Sequence, residues 1–161
     1  MSKVNAGKRF EGKIRKSLEL KGYVQRIQDK MFMGQNGFPL SRQSEGDFWH
    51  FTGDGHGFLI ECKATKLKSF PFDKLRPEQE RELLRFDDVA DNFHGVVALN
   101  FYAENLRERN RCFVLAIQDY MAYKDTCGRA SMPLDAAEGL GIECPRIKGG
   151  LWDVGLGHLC G

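Results

Sequence analysis

Residues 58–65, FLIECKAT, read as a strand that carries two opposite charges among apolar neighbours. At the two-residue period of a strand, Phe58, Ile60 and Cys62 face one way while Leu59, Glu61 and Lys63 face the other. The preceding TGDGHG is turn chemistry throughout, so it joins this strand to another running from Asp47 to Phe51. A chain with this pair builds a sheet, and that sheet carries Asp47, Glu61 and Lys63.

The rest of the pattern surrounds the pair with helices. Phe10, Ile14 and Leu18 recur at every fourth position and mark one face of a helix that Gly22 ends. Glu11 stands at the edge of that stripe, able to point toward whatever the helix packs on. Tyr23–Ile27 fits a short strand. The turn signal GQNG at 34–37 follows, and Pro39 argues against a central strand there. Pro77 suits a first helical position, and PEQERELLRFDDVADNF places Leu83, Leu84, Phe86, Val89, Ala90 and Phe93 at helical spacing. Val96–Phe101 and Cys112–Ile117 read as strands linked by the charged AENLRERNR, with a short helix near Tyr120–Lys124. The glycine-rich residues 127–161 show no clear period. They form either an ordered cap anchored by Leu151, Trp152 and Leu156 or a partly mobile tail. The order of elements predicts one mixed α/β domain over 1–161, with a core over 7–126 and a C-terminal extension over 127–161.

A chain of 161 residues is long enough for one sizeable core, and its 42% hydrophobic and 29% charged content is ordinary for a globular protein. No apolar run approaches the length of a membrane span. The start MSKVNAGKRFEGK lacks the apolar stretch of a secretory signal, so a cytoplasmic location, in a bacterium or a virus-infected cell, is the expectation. Cys62 and Cys112 sit in apolar runs as small hydrophobes. A zinc set of Cys127, Cys144, His158 and Cys160 matches no standard spacing, and neither His50 nor His56 has a partner at ligand spacing. The net charge of +2 identifies no partner, but its distribution is uneven. Lys8, Arg9, Lys13, Arg15 and Lys16 crowd the first helix, which suits either a polyanion or a solvated surface.

The three strand charges allow two readings. Glu61 and Lys63 could be an ordinary ion pair on a wet strand face, which leaves Asp47 without a role. Alternatively, carboxylates converging from adjacent strands make an oxygen site for a hard divalent cation such as Mg²⁺, which removes their repulsion. The lysine then orients or deprotonates water, or neutralises charge on a phosphate. Aspartate, a spacer and Glu-x-Lys is the layout of a metal-dependent phosphodiesterase. Trp49 and Phe51 share the strand face of Asp47, where sheet core is the commoner role. Trp152 is expected to anchor the C-terminal residues.

With these residues in place, the chain resembles the restriction-endonuclease-like nuclease superfamily with its PD-(D/E)xK motif. Within it, the chain is similar to Holliday junction resolvases of the bacterial RecU and archaeal Hjc types. GKRFEGKIRKSL (7–18), SEGDF (44–48), FLIECKAT (58–65), KSFPFDKLRPEQ (68–79) and GVVALNF (95–101) carry the resemblance. It implies a restriction-endonuclease-like fold with a central mixed sheet flanked by helices. It implies Asp47 and Glu61 as metal ligands completed by Glu11, Lys63 as the catalytic lysine, and Gln79 as support for the metal-bound water or a phosphate. Ser44 stands near a hydroxyl residue of some relatives. Lys66 and Lys68, with the basic residues of the first helix, would meet DNA backbone phosphates. The implied activity is Mg²⁺-dependent endonucleolytic cleavage of four-way DNA junctions by a homodimer, with Mn²⁺ as a substitute and one or two metals per site. Two departures accompany it: Gly46 stands where the motif has proline, and the junction-entering stalk has only residues 28–46 as its counterpart. There Met31, Phe32, Met33 and Phe38 are either a wedge between stacked bases or residues of the core or dimer interface. The alternatives are a nicking, repair or restriction-like nuclease of the same fold and, from another class, a non-catalytic DNA-binding protein.

Overall fold

The computed structural model describes residues 5–37, 39–42, 46–103 and 110–160, and of residues 30–32 and 39–42 it describes the backbone alone. Helix α1 (Ala6–Glu19) starts where the Asn5 side chain accepts from the Gly7 amide, satisfying one of the free donors of the first turn. Its apolar stripe, Phe10, Ile14 and Leu18, is fully buried as the spacing predicts. Strand β1 (Tyr23–Arg26) follows, then a separate hairpin of β2 (Lys30–Met33) and β3 (Pro39–Arg42), where Pro39 lies outside the main sheet. Next come β4 (Phe48–Phe51) and β5 (Gly57–Thr65), the short β6 (Ser69–Pro71), helix α2 (Pro77–Asp87), β7 (Phe93–Phe101) and β8 (Arg111–Ala116).

Six strands make one mixed sheet in the order β1-β4-β5-β7-β8-β10, where β10 is Ile142–Glu143. All pairs are antiparallel except β5 with β7, which run parallel over nine residue pairs with α2 as their crossover. Both faces of the centre are therefore covered, and β5 is buried nearly throughout. Phe58 and Ile60 pack with α1, Trp152, Val154 and Leu156. Leu59 lies in the opposite layer, with Leu83 of α2 and Ile117 and Tyr120 of α3 (Ile117–Thr126). Gly95 lets α2 press onto β7, since a Cβ there would fall 2.2 Å from the Leu83 carbonyl oxygen.

After Thr126 the chain is an ordered cap, the first of the two readings its composition allowed. Strand β9 (Ser131–Pro133) pairs with β6, α4 (Leu134–Leu140) leads into β10, and β11 (Arg146–Ile147) pairs with β12 (Leu151–Trp152). Trp152 is buried and its amide donates to the Ser17 hydroxyl of α1, which makes it the anchor its setting suggested. Among the described residues, no helix is long and apolar enough to cross a membrane.

Candidate active site

The Asp47 carboxylate sits where the β4–β5 ladder stops. Its amide donates to the Ile60 carbonyl, and its Oδ2 accepts from the Cys62 amide at 2.7 Å. Cys62 follows Glu61 directly, so the bond holds two carboxylates against one peptide. Glu61 is 3% exposed. Its Oε1 takes Lys63 Nζ at 2.8 Å and Gln79 Nε2 at 2.6 Å, while Oε2 is buried with no hydrogen-bond partner among the described residues. That lopsided arrangement is costly for an ionised group, because a buried carboxylate needs both oxygens satisfied.

Gln79 bridges helix and sheet. It lies in the first turn of α2, where its Oε1 accepts from the Arg76 amide at 3.2 Å and its Nε2 reaches Glu61. Pro77 presets that turn, so the helix start aims the amide at β5. Arg76 also lends positive charge to Glu61, a contribution that its place just before Pro77 at the helix entry could have signalled.

Electrostatics identifies the strained member. Burial, then Glu61 and Glu11, push the Asp47 carboxyl from 3.8 to about 7, against the Cys62 amide and Lys63. Glu61 is also raised, by burial, although Lys63 and Gln79 oppose the shift. Burial and the three carboxylates drive the Cys62 thiol far above its ordinary value. A divalent cation beside Asp47 and Glu61 would offset the repulsion between their carboxylates and favour their charged forms, and the orphaned Oε2 fits that role.

Glu11 joins less closely than its expected role as third ligand. It belongs to α1, on the Phe58 and Ile60 face, whereas Glu61 points to the α2 face; Glu11 instead pairs with Arg26 at 3.1 Å. The three carboxylates do not close to within 4.8 Å of one another, and the one group of His, Cys or carboxylate residues that does, among the described residues, is His56, His94 and Cys160.

The expected DNA contacts divide. Lys66 and Lys68 are exposed directly after β5, and Lys8 and Arg15 share the helical stripe of Glu11, with Arg15 also bonded to Glu19. Lys13 points elsewhere, its ammonium ending beside Gly150 near the β11–β12 hairpin, and Arg9 and Lys16 flank it on that side. Trp49 and Phe51 are not core: they are 38% and 39% exposed and, with Ile27, Leu59 and Phe86, line an apolar groove beside the carboxylates. Glu82, Arg85 and Phe86 of α2 form the other wall of this groove without closing over the two rings, which alternation along β4 does not reveal. His50 is buried, with Nδ1 at 3.1 Å from the Tyr23 carbonyl oxygen. Of the four-residue zinc set, Cys144 instead lies buried against Cys112 in the α1 layer, and Cys160 stands by the two histidines. Phe38 and Ser44 lie outside the described residues, as do the side chains of Met31 and Phe32. No protein-family model and no curated protein matches the chain.

Proposed function

We propose that this protein is a metal-dependent endodeoxyribonuclease of restriction-endonuclease-like fold that resolves four-way (Holliday) DNA junctions by paired symmetric nicks in recombination or repair. The observation that carries the reading is Glu61: a buried carboxylate with Lys63 and Gln79 on one oxygen, Asp47 beside it and the other oxygen bare. Asp47 and Glu61 would hold Mg²⁺ or Mn²⁺, with Glu11 acting from farther out. Bound there, the cation supplies a Lewis acid for a phosphate oxygen and lowers the pKa of water. Gln79 fixes the rotamer of Glu61. Lys63, partly exposed, presents an ammonium that offsets charge developing on the phosphate. Lys66 and Lys68, exposed just past the end of β5, and Lys8 and Arg15, on α1, would bind backbone phosphates, which position DNA without reading its sequence. A junction has two strands to cut symmetrically, so the reading carries a two-fold dimer with one site per subunit, selective for junction shape.

The test is cleavage of mobile and immobile four-way junctions in Mg²⁺, against linear duplex of the same sequence, by wild type and Asp47→Asn. Paired nicks confined to junctions and lost in the variant are expected. Equal cutting of duplex would keep the nuclease and remove the junction assignment. Tight junction binding by folded protein without cutting in any metal would leave a binding protein.

A further inference from the structure

At the other end of β5 lies a group that the proposed nuclease site does not use. His56 closes the β4–β5 turn, His94 is the second residue of β7 and Cys160 follows the last helical turn, Leu156–Leu159. Their donor atoms lie within 4.8 Å of one another, with His56 Nδ1 2.9 Å from His94 Nε2. All three side chains are half-buried, within reach of solvent ions. Glu61 lies five positions beyond His56 along the chain, roughly 16 Å at about 3.3 Å per residue, so the two sites are distinct.

We propose that His56, His94 and Cys160 form a zinc site that ties the C-terminal cap to the sheet. The donor chemistry sets the metal: two imidazole nitrogens and a thiolate suit Zn²⁺, whereas the carboxylate oxygens around Glu61 suit Mg²⁺. Tetrahedral zinc, with bonds of about 2.0–2.1 Å to nitrogen and about 2.3 Å to sulfur, needs its donors roughly 3.3–3.6 Å apart. The two nitrogens are already closer than that, and the sulfur, within 4.8 Å of both, has at most about an ångström to travel. Binding releases the thiol proton of Cys160 to solvent and leaves a fourth position for water. Asp54, on the same turn as His56, is near enough for its charge to act on Cys160.

The arms are held before any metal arrives. The Asn92 side chain donates to the Gly55 carbonyl at 2.7 Å, the Gly57 amide donates to the Asn92 carbonyl at 2.9 Å, and Phe58 pairs with His94 across the parallel ladder. Both imidazoles stack within a cluster closed by the Phe58 ring, 5.0 Å from His94 between centroids. Leu156, buried, seats the turn that carries Cys160. A plain imidazole–imidazole hydrogen bond explains the 2.9 Å contact. It does not explain why a thiol from a third, remote segment arrives at the same point.

The inference is independent of the nuclease reading, and the test keeps them apart. Purified full-length protein is loaded with Zn²⁺, dialysed at neutral pH and assayed for bound metal, and a Co²⁺-loaded sample is examined by absorption. One equivalent of zinc, retained in Asp47→Asn and lost in His94→Gln and Cys160→Ser, is expected, together with tetrahedral cobalt bands and a thiolate charge-transfer band. In wild type alone, zinc should slow alkylation of Cys160 at least tenfold relative to apoprotein, which needs no variant to fold. No bound zinc, no thiolate band, or unchanged alkylation of Cys160 would overturn the proposal.

Discussion

Gln79 donates to Glu61 at 2.6 Å while its other amide atom caps the Arg76 amide, so one side chain both starts α2 and fixes a strand carboxylate. Gln79→Ala should therefore cost about 1–2 kcal/mol of stability, from the lost cap and hydrogen bond. Cleavage should fall roughly 10–100-fold, the usual cost of removing a group that orients a metal ligand. Gln79→Glu retains the bond from the Arg76 amide but sets a carboxyl against Glu61. Denaturant unfolding and the pH profile of cleavage separate the two: only Gln79→Glu should move the profile.

Asp47 makes stability depend on pH. Its folded pKa of about 7 lies above the ordinary 3.8, so between these values the folded chain keeps a proton that the unfolded chain has released. Stability should be full below about pH 4 in this contribution and decline as pH rises through 7. The ceiling is on the order of 4 kcal/mol at about 1.4 kcal/mol per unit, reduced because the group is only half-buried. Asp47→Asn should flatten the decline. Mg²⁺ should raise the melting temperature of wild type more at pH 8 than at pH 5, and a flat wild-type curve would contradict the raised pKa.

Lys63→Met leaves Glu61 buried without its countercharge. The loss should be about 2 kcal/mol at pH 8 and smaller at acid pH, because burial raises the Glu61 carboxyl and falling pH protonates it. Equal destabilisation at both pH values would mean that the methylene stem, rather than the charge, is what Lys63 contributes.

Lys66 and Lys68 are exposed just past the end of the strand that carries Glu61, whereas Lys13 ends beside Gly150. Replacing Lys66 and Lys68 by Ala should lower the slope of log affinity against log salt by roughly one unit each on junction DNA. Lys13→Ala should leave it unchanged. Filter binding across a salt series reads both.

Gly95→Ala tests the seat of α2. The added methyl meets the Leu83 backbone and Ile117 at once, and neither can step aside without lifting the helix. A loss above about 3 kcal/mol is expected, with cleavage falling as well because Gln79 moves with α2. Thermal unfolding and the junction assay report it.

The parts readable in the sequence were those with a local period or a local breaker. Alternation along FLIECKAT placed Glu61 and Lys63 on one face, and Pro77 fixed where α2 begins, which brought Gln79 into range. Faces of different elements carry no such signature. Nothing near Glu11 says that α1 lies on the far side of β5, or that Arg26 will meet it. His94 and Cys160 meet His56 through the parallel β5–β7 register and a buried leucine, both long-range consequences of packing. The glycine-rich cap escaped for a related reason, since strands of two or three residues are too short to show a period.

Asp47 and Glu61 are held by anchors that differ in how they can be lost. Glu61 depends on a side chain, so a single base change at codon 79 can release it. Asp47 depends on the amide of Cys62, which every amino acid except proline provides. Position 62 can thus drift through small apolar residues without disturbing its neighbour. Heredity would register the glutamine as a constraint and overlook the peptide bond, though the two carry comparable duties.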